Sequence, residues 1–436
     1  MSTSSFTERR LKFLATKIGS GKTPTGGAEA YVDTGVTFLR SQNIHIDGLR
    51  LDDVVHIDDE TDREMQGTRV WPADSLLNIT GASLGRVALA PDKLGRANLN
   101  QHVCIVRPVA SVDHRYLSWS LQGLAVQQQI FALQVGGNRD GLNFEQVGNL
   151  SALLPALDEQ RRIADFLDIE TARIGSLVAG HREARLVLLE RRASSIFRSV
   201  TGQNDAEQKP SSLVWVETLP LAWPAVKLGH VARMGSGHTP SRSRQDWWTN
   251  CTIPWITTGE VSQVRDDRRE VLDQTRECIS ELGMANSSAE LHPQGTVVLC
   301  RTASAGYSAV MGQAMATSQD FVIWTCGTRL EPFYLLWCLR AMRNDLLGRL
   351  AMGSTHKTIY VPDLQMLRIP LPELDAQNRI VADIRRSNAT IDAAVDSIDR
   401  QLALLAERRQ ALITAAVTGE FDVSTAGGLK HGAPTP

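Results

Sequence analysis

Apolar and polar residues follow two different patterns along this chain, and each pattern occurs twice. Residues 11–157 hold short apolar, β-rich runs between Gly, Asp, Asn and Pro, which is typical of strands joined by turns. Residues 158–200 contain no Pro, and their apolar residues recur at helical spacing, which predicts one long helix. The same succession returns in residues 213–374 and 375–418. We therefore predict an α+β protein with two mixed α/β domains and two long helices.

These patterns also predict individual elements and boundaries. The predicted strands are Val36–Leu39, Ser75–Ile79, His102–Val106, Thr252–Ile256, Thr296–Cys300 and Asp320–Trp324, and the predicted shorter helices are Asp113–Leu133 and Pro332–Leu350. The predicted segments are a first domain at 1–157, a central helix at 158–200, a polar linker at 201–212, a second domain at 213–374, a C-terminal helix at 375–420 and a disordered tail at 421–436.

The two halves share sequence at a distance of about 217 residues. The matching segments are Leu188–Arg192 with Leu405–Arg409, Leu154–Ile163 with Leu371–Ile380, and Gly19–Pro24 with Gly235–Pro240. Solenoid repeats are only tens of residues long, so this spacing indicates a duplicated domain followed by a duplicated helix. Such a protein presents two similar surfaces, which suits a target that has two parts.

The long helices fit a seven-residue repeat with one apolar stripe. About six of ten positions are apolar in each helix when the chain is stepped by four and then three residues. The positions are Ile163, Leu167, Glu170, Ile174, Leu177, His181, Ala184, Leu188, Arg191 and Ser195, and then Ile380, Ile384, Ser387, Ile391, Ala394, Ile398, Gln401, Leu405, Arg408 and Leu412. This pattern favours two helices that pair as an antiparallel coiled coil, giving a pseudo-twofold repeat; the alternative is two amphipathic helices, each packed on its own domain.

The composition is that of an ordinary globular protein, with 436 residues, 42% hydrophobic and 22% charged. A net charge of −2 gives no support for a general polyanion binder, so contact with nucleic acid would need local basic patches. The six cysteines have no CxxC spacing, and we expect reduced, mostly buried thiols in the cytosol.

Catalytic motifs are missing from the sequence. Gly19–Thr23 resembles a phosphate-binding loop, but Thr16 occupies the position of the first glycine, and His238 replaces the lysine in the second copy. HExxH and GxGxxG are absent as well. We predict no catalytic, cofactor-binding or metal site on this chain.

Three aligned loop segments differ between the halves although their flanking turns are shared. The pairs are Arg40–Asn43 with Thr257–Glu260, Ala82–Arg86 with Ala303–Tyr307, and Gly137–Asp140 with Gly353–His356. Their polar and basic side chains are of the kind that contact DNA bases and phosphates, and glycines allow the backbone to approach a ligand closely. Drift in solvated loops explains any single pair, whereas all three pairs together favour DNA binding.

Several further motifs mark the second half: Gly235–Ser241, Trp247-Trp248, Ile253–Ile256, Ile369–Pro372 and Ala416–Gly419. With these motifs the whole chain resembles the specificity subunits of type I restriction–modification systems. The resemblance implies a non-catalytic DNA reader, in which each target-recognition domain reads one half of a bipartite, asymmetric site. A helix of about 60 Å would limit the span to about 18 base pairs.

The resemblance also implies partners and site residues. Two methylation subunits would carry S-adenosylmethionine, and restriction subunits would carry ATP and magnesium, while this chain itself holds no cofactor. The best DNA-contact candidates are Arg40, Gln42, Asn43, Arg86, Asn138 and Arg139 in the first domain and Thr257, Thr258, Tyr307, Thr355, His356 and Lys357 in the second. The candidate subunit-interface residues are Ile163, Leu167, Ile174, Leu188, Ile380, Ile384, Ile391, Ile398, Leu405 and Leu412.

Two other classes of function stay open from sequence alone. A scaffold whose two domains bind proteins would fit the near-neutral charge and would show absent or salt-insensitive DNA binding. An enzyme with an unfamiliar site would reveal itself by methyl transfer from labelled S-adenosylmethionine on the isolated chain.

Overall fold

The computed structural model describes residues 6–134, 141–203, 205, 207–352 and 357–423. The strands of the first half are β1 (Thr7–Arg10), β2 (Ala15–Ser20), β3 (Tyr31–Val32), β4 (Val36–Leu39), β5 (Ile44–His45), β6 (Gly48–Leu49), β7 (Val55–Ile57), β8 (Ser75–Asn78), β9 (Val87–Leu89), β10 (Ala97–Leu99), β11 (Val103–Pro108) and β12 (Ser151–Leu154). The helices are α1 (Asp59–Glu64), α2 (His114–Gln122), α3 (Leu124–Ala132), α4 (Phe144–Asn149) and the long α5 (Leu157–Thr201).

The second half repeats this order. Its strands are β13 (Gln208–Pro210), β14 (Thr218–Pro220), β15 (Ala225–Lys227), β16 (Ala232–Ser236), β17 (Ile253–Ile256), β18 (Val271–Leu272), β19 (Glu277–Ile279), β20 (Val297–Cys300), β21 (Ser308–Met311), β22 (Ala316–Thr317), β23 (Phe321–Cys326), β24 (Ala351–Met352), β25 (Thr358–Ile359) and β26 (Arg368–Pro370). Its helices are α6 (Glu281–Ala285), α7 (Pro332–Ala341), α8 (Arg343–Asp345), α9 (Val361–Gln365) and the long α10 (Leu374–Thr418). Within the described residues, none of the helices has the length and apolar character to cross a membrane.

The chain divides into two compact units that cut across the predicted boundaries. Unit 1 contains residues 1–182 and 399–436, and unit 2 contains residues 183–398. Each unit therefore holds one mixed domain, part of the helix that follows it, and part of the helix from the other half. The predicted segments give the order of elements along the chain. In the compact units, however, the end of α10 belongs to unit 1 and the end of α5 belongs to unit 2.

Two sheets form the mixed domain of unit 1. The strand order is β2-β11-β8-β9 in an antiparallel sheet and β10-β4-β7-β3 in a mixed sheet, in which β10 and β4 are parallel. Both faces of the first sheet are buried, since Leu77 and Val106 belong to one apolar cluster and Leu76 and Ile105 to another. This explains why these strands read as continuous apolar runs without alternation.

Unit 2 has the same sheets with small additions. The order β16-β23-β20-β21-β18 corresponds to β2-β11-β8-β9 with one strand added, and the parallel pair β17 and β22 corresponds to β4 and β10. The six strands predicted from sequence all occur, each within two residues of its predicted ends. The fold class is therefore as predicted, α+β with two similar α/β domains and two long helices.

In each unit a buried tyrosine hydrogen-bonds the C-terminal end of the long helix that comes from the other half of the chain. The Tyr116 hydroxyl lies 2.6 Å from the carbonyl oxygen of Leu153 and 3.3 Å from that of Val417 at the end of α10. The Tyr334 hydroxyl lies 3.1 Å from the Pro370 carbonyl and 3.2 Å from the carbonyl of Val200 at the end of α5. Burial raises the pKa of both phenols above the usual value of 10, so they stay protonated donors.

The two long helices run antiparallel within each unit. In unit 1, Ile163 and Leu167 near the start of α5 share an apolar cluster with Ile413 and Val417 near the end of α10. In unit 2, Ile196 and Val200 near the end of α5 cluster with Val381 and Ile384 near the start of α10. Each unit thus confirms the paired helices and contradicts the alternative of separate helices on separate domains.

The predicted heptad register is wrong at five of its twenty positions. Leu177, at 53% exposure, and Ala184, Arg191, Gln401 and Arg408 are exposed. The residue after each of them is at least partly buried instead, which gives Val178, Arg185, Arg192, Leu402 and Arg409. The stripe therefore steps by four and then three residues after Leu167 and after Ile384.

Buried arginines explain why the sequence misled at these positions. Arg192 donates to the carbonyls of Asp266 and Asp267 at 3.1 and 2.9 Å, and Arg409 donates to the carbonyl of Ile46 at 2.6 Å. A guanidinium that is satisfied in this way can occupy an inward position that a hydrophobic template assigns to a neighbouring residue.

Three further expectations need correction. The predicted helix Asp113–Leu133 is two helices, because Gly123 between α2 and α3 is extended, and a Cβ there would lie 2.8 Å from the Val417 side chain. The predicted linker 201–212 contains β13, which pairs with β14. Similarly, Pro332–Leu350 begins as α7, changes to α8 and ends in a π-helical turn, Leu346–Leu350.

Candidate nucleic-acid interface

One end of the unit 1 sheets gathers polar side chains from distant parts of the sequence. The turn after β2 packs tightly against β10, because a Cβ on Gly21 would lie 1.6 Å from the Leu99 carbonyl oxygen. This close approach leaves Lys22 and Thr23 exposed beside the loop that follows β10. The backbone N–H of Lys22 donates to the Leu99 carbonyl at 3.2 Å and fixes the turn there.

A chain of side-chain hydrogen bonds continues from this turn. The Thr23 hydroxyl lies 2.7 Å from Gln101 Oε1, Gln101 Nε2 lies 3.0 Å from His102 Nε2, and His102 Nδ1 lies 2.6 Å from the Thr80 hydroxyl. Thr80 in turn forms an isolated β-bridge with Gly141. We call Lys22, Thr23, Thr80, Gln101 and His102 the first loop end. It joins three loops that are far apart in sequence.

Unit 2 builds the same arrangement with different side chains. The His238 N–H donates to the Thr317 carbonyl at 2.9 Å, Thr239 bonds Gln319, and the Thr302 hydroxyl donates to Asp320 Oδ1 at 2.5 Å. Thr302 forms the bridge to Thr358 that matches the bridge of Thr80 to Gly141. We call His238, Thr239, Thr302, Gln319 and Asp320 the second loop end.

The two loop ends therefore share hydrogen-bond positions and differ in charge. Lys22 and His102 in the first correspond to His238 and Asp320 in the second. The threonines and glutamines are the same in both, so they belong to the shared framework. Side chains that vary on a constant framework are suited to distinguish two different ligands of one chemical class.

Some of the DNA-contact candidates of the first domain lie beside the first loop end. The Ser41 carbonyl accepts from Asn78 Nδ2 at 2.9 Å, and the Leu39 carbonyl accepts from the Asn100 N–H at 3.0 Å. These bonds hold the turn that carries Arg40 and Gln42 next to the loops of the first loop end. Both side chains contact Asp53, with Gln42 Nε2 2.8 Å from Asp53 Oδ2 and Arg40 Nη2 3.3 Å from the Asp53 carbonyl.

Asn43 is a scaffold residue and not an exposed reader. It is 1% exposed, its Oδ1 accepts from the Arg40 N–H at 2.9 Å, and its Nδ2 donates to the carbonyls of Arg50 and Asp53 at 3.0 Å. Those bonds occupy the amide, which leaves it no edge to offer a base. The prediction of a direct contact by Asn43 is therefore contradicted, and its role is to hold Arg40 in place.

Arg86 lies apart from the first loop end. It lines a cleft between the mixed domain of unit 1 and the helix segments of that unit. The candidates Asn138 and Arg139 fall outside the described residues.

The candidates of the second domain are also divided. Thr257 and Thr258 follow Ile256, whose carbonyl accepts from the Ser318 N–H at 2.9 Å, so both lie near the second loop end. Lys357 is exposed and directly precedes Thr358, the bridge partner of Thr302. Thr355 and His356 fall outside the described residues.

Tyr307 has a role inside unit 2. Its ring packs against the guanidinium groups of Arg343 at 4.5 Å and Arg265 at 5.7 Å. Arg343 also pairs with Asp267 at 2.6 Å and donates to the Gly306 carbonyl at 2.9 Å. Tyr307 is half-buried within this group, so any contact with DNA would use only its exposed edge.

Sequence reasoning missed most of the two loop ends. The sequence patterns mark Gly19–Pro24 only as a segment shared by the two halves, and they do not single out Gln101, His102, Gln319 or Asp320 as site residues. One signal was available in the sequence. A glutamine lies two residues before the start of a buried strand in both halves, Gln101 before β11 and Gln319 before β23. A polar residue repeated at the end of a strand can mark a shared framework of this kind.

The helix residues predicted at subunit interfaces are at least partly covered by the chain itself. Those that are buried are Ile163, Leu167, Ile174, Ile384 and Ile391, and those that are half-buried are Leu188, Ile380, Ile398, Leu405 and Leu412. Their packing holds the helices and domains of each unit together. A direct contact of these residues with a partner subunit stays a prediction.

The described residues hold no group of three or more His, Cys, Asp or Glu side chains placed to bind a metal ion. All six cysteines are free thiols, and burial raises the pKa of Cys104, Cys300 and Cys338 to about 12. Such thiols stay protonated at neutral pH and act as apolar core residues.

Known proteins share this arrangement. The family model for the type I restriction modification DNA specificity domain matches residues 8–176 and again residues 220–393. The MjaIX specificity subunit of a type I restriction enzyme from Methanocaldococcus jannaschii is 26% identical over 164 residues, which are 37% of this chain and 37% of that protein. This match therefore spans little more than a third of the curated relative.

Two solved structures share the fold along nearly the whole chain. A chain from a structure of the type I R-M system has a TM-score of 0.66 at 19% identity and covers 97% of this chain and 100% of its own length. The HsdS subunit from Thermoanaerobacter tengcongensis has a TM-score of 0.52 at 19% identity, covering 95% of this chain and 97% of its own. Since the family model matches both halves, the chain belongs to the family of type I restriction–modification DNA specificity subunits.

Proposed function

We propose that this chain reads a bipartite, asymmetric DNA site, one half-site with each mixed domain. The observation that carries the proposal is the pair of loop ends, which share their framework and differ in Lys22 and His102 against His238 and Asp320. One protein with two identical loop ends would read two copies of one sequence. Two different loop ends on one framework read two different half-sites, separated by a spacer that neither domain contacts.

The contacts combine phosphate and base recognition. Lys22, Arg40 and Lys357 are basic side chains on or beside the loop ends and supply phosphate contacts, which position the domain on the duplex. Gln42 carries an amide that can bond adenine through two atoms, whereas Gln101 and Gln319 belong to the framework that both loop ends share. Asp320 accepts from cytosine N4 and disfavours bases that present only acceptors, so its charge contributes selectivity and not affinity.

We further propose that the chain is itself non-catalytic and acts in the cytosol as the specificity subunit of a larger complex. Two methylation subunits supply S-adenosylmethionine and methylate adenine, and restriction subunits supply ATP hydrolysis and magnesium-dependent cleavage. The family assignment supports this division of labour.

The decisive experiment is a genome-wide map of adenine methylation in cells that express this chain with its neighbouring methylation subunit. Cells that express only the methylation subunit are the control. We expect one two-part motif that appears only when the chain is present, and its two parts name the half-sites. Methylation without any motif, or the same motif in both cultures, would overturn the proposal.

A further inference from the structure

Unit 1 contains a cleft of about 920 Å³ that the proposed DNA contacts do not use. One wall is formed by α5 and α10, including Gly175, Ala179 and Leu405, and the other by the mixed domain, including Ile46 and Arg86. Its volume lies within the range of pockets that hold a small ligand or a few side chains of a partner. All of its lining residues belong to unit 1.

The cleft combines an apolar floor with an excess of positive charge. Its lining includes Asp47 and Asp168, but these carboxylates pair with Arg50 at 3.6 Å and with Arg115 at 3.0 Å. Ile174 is buried at its base, and Val178 and Leu402 are half-buried beside it. Among the described residues, no carboxylate lies within ion-pair distance of Arg86 or Arg182, although both line the cleft. Charged groups that face a partly enclosed apolar surface gain more from a counter-charge than exposed ones do.

Unit 2 shows which group belongs at the corresponding place. The repeat distance is 217 residues (405 − 188), which relates Gly175 to Asp392 and Ala179 to Asp396. In unit 2, Asp392 lies 3.4 Å from Arg192 and 3.7 Å from Arg268, and Asp396 lies 2.6 Å from Arg268. Two carboxylates one helical turn apart therefore neutralise the arginines of unit 2.

Unit 1 has Gly175 and Ala179 in place of these two carboxylates, which leaves open the space that the carboxylates would occupy. A Cβ on Gly175 would meet no atom within 4 Å, so the position is open. Arg409, the repeat equivalent of Arg192, faces the cleft and donates to the Ile46 carbonyl and the Gln122 side chain, and the cleft carboxylate of Asp47 acts on it only from beyond ion-pair distance. The cleft is thus complementary to an acidic side chain from outside the chain.

We infer that this cleft receives an acidic segment of the methylation subunit, with carboxylates one helical turn apart beside an apolar side chain. The inference rests on the proposed function, since it names the partner. It makes the two methylation subunits inequivalent, because Asp392 and Asp396 already supply the carboxylates at the corresponding place in unit 2. An apolar floor next to arginines is typical of protein–protein interfaces, whereas a DNA groove would be lined by polar and basic groups.

The test compares substitutions at two exposed glycines of α5, Gly175 and Gly180. Gly175→Asp places a carboxylate in the cleft, as in unit 2, whereas Gly180→Asp makes the same chemical change on α5 outside the cleft. Both positions have open space around a Cβ, so both variants should fold. Arg182→Glu removes a positive charge by an independent route, and circular dichroism verifies the fold of all three full-length variants.

The measurement is a calorimetric titration of the methylation subunit into the chain, which resolves two binding steps, with a parallel titration of duplex DNA into the chain alone. We expect Gly175→Asp and Arg182→Glu to weaken one step by about tenfold and Gly180→Asp to change it by less than about twofold. Two silent cleft variants would overturn the inference and leave the proposed function intact. If the cleft variants lose only duplex binding, the cleft is a nucleic-acid groove and the inference is wrong. If the wild-type chain does not bind the methylation subunit at all, both the inference and the proposed function are overturned.

Discussion

The strand at the centre of the main sheet begins at a buried ion pair in unit 1 and at a pair of hydroxyls in unit 2. Asp74 precedes β8 and bonds Arg107 on β11 at 2.7 Å, with the carboxylate 0% and the arginine 16% exposed. At the matching positions Thr296 and Thr325 lie 3.4 Å apart. The backbone is the same in both, so the framework does not depend on which polar pair fills the position, provided that each group has a partner.

A second pair of matching positions lacks such compensation. Val70 and His292 form equivalent backbone bonds, to the carbonyls of Ala97 and Met315, both at 2.9 Å. His292 is 1% exposed, and among the described residues neither of its ring nitrogens has a hydrogen-bond partner. Unit 2 thus carries a buried polar group where unit 1 carries an apolar one, and the two units should differ in their response to pH.

The largest effect is expected from breaking the ion pair of unit 1. Asp74→Thr leaves Arg107 buried without its carboxylate, which should lower the free energy of unfolding of unit 1 by about 3–5 kcal/mol. The double variant Asp74→Thr/Arg107→Thr copies unit 2 and should recover most of this loss, because a matched neutral pair replaces the charged one. Urea denaturation of the three proteins measures both values. A double variant no more stable than Asp74→Thr would show that the units are not interchangeable here.

The next effect concerns the close approach of the turn after β2. Gly21→Ala places a methyl group on the Leu99 carbonyl, whereas Gly19→Ala places it in open space on the same strand. We expect Gly21→Ala to destabilise unit 1 by about 1–3 kcal/mol, since the backbone must move. Gly19→Ala is the matched control and should be neutral or slightly stabilising. Thermal unfolding followed by circular dichroism distinguishes the two, and equal melting temperatures would contradict the tight contact.

The comparison of units also shows what could be read from sequence. The strands, the long helices and the duplicated order follow from local patterns, because buried strands need apolar runs and long helices need periodic ones. The heptad register failed where Arg192 and Arg409 turn inward, since their burial depends on carbonyls supplied by loops far away in sequence. No hydropathy pattern contains that information.

The candidate site was predictable only in part for the same reason. Arg40 and Gln42 stood out because the aligned segments differ between the halves, and the structure places them beside the first loop end. The hydrogen bonds from Thr23 through Gln101 and His102 to Thr80 join three loops, so no single segment reveals them. Asn43 has the right chemistry for a base contact, and only its burial shows that it belongs to the framework.

A smaller effect distinguishes the pH responses of the two units. Burial lowers the pKa of His292 below its usual 6.5, although Glu290 nearby raises it and Arg233 lowers it further. Because the unfolded chain binds the proton more readily, unit 2 is fully stabilised above pH 6.5 and loses stability as the pH falls towards the lowered pKa, by at most about 1.4 kcal/mol per pH unit.

The variant His292→Val tests this by copying Val70. It should stabilise unit 2 by about 1 kcal/mol at pH 7.5, since it removes two unbonded nitrogens, and by more at pH 5.5. Urea denaturation at both pH values measures the difference, with Val70→Ile in unit 1 as a control that should show no added pH dependence. A gain that is the same at both pH values would mean that folding does not lower the pKa of His292.

The smallest effect sharpens the comparison of the two loop ends. His102→Asp should keep its bond to Thr80, because Asp320 bonds Thr302 in the same position, and it adds one negative charge. We expect affinity for the first half-site to fall about fivefold at low salt and by less as salt rises, while the second half-site is unaffected. The reciprocal change Asp320→His should strengthen only the second. Binding is measured on duplexes in which one half of the methylation motif is scrambled. Equal changes on both duplexes would show that one charge acts over the whole protein, and the two loop ends would then not be independent readers.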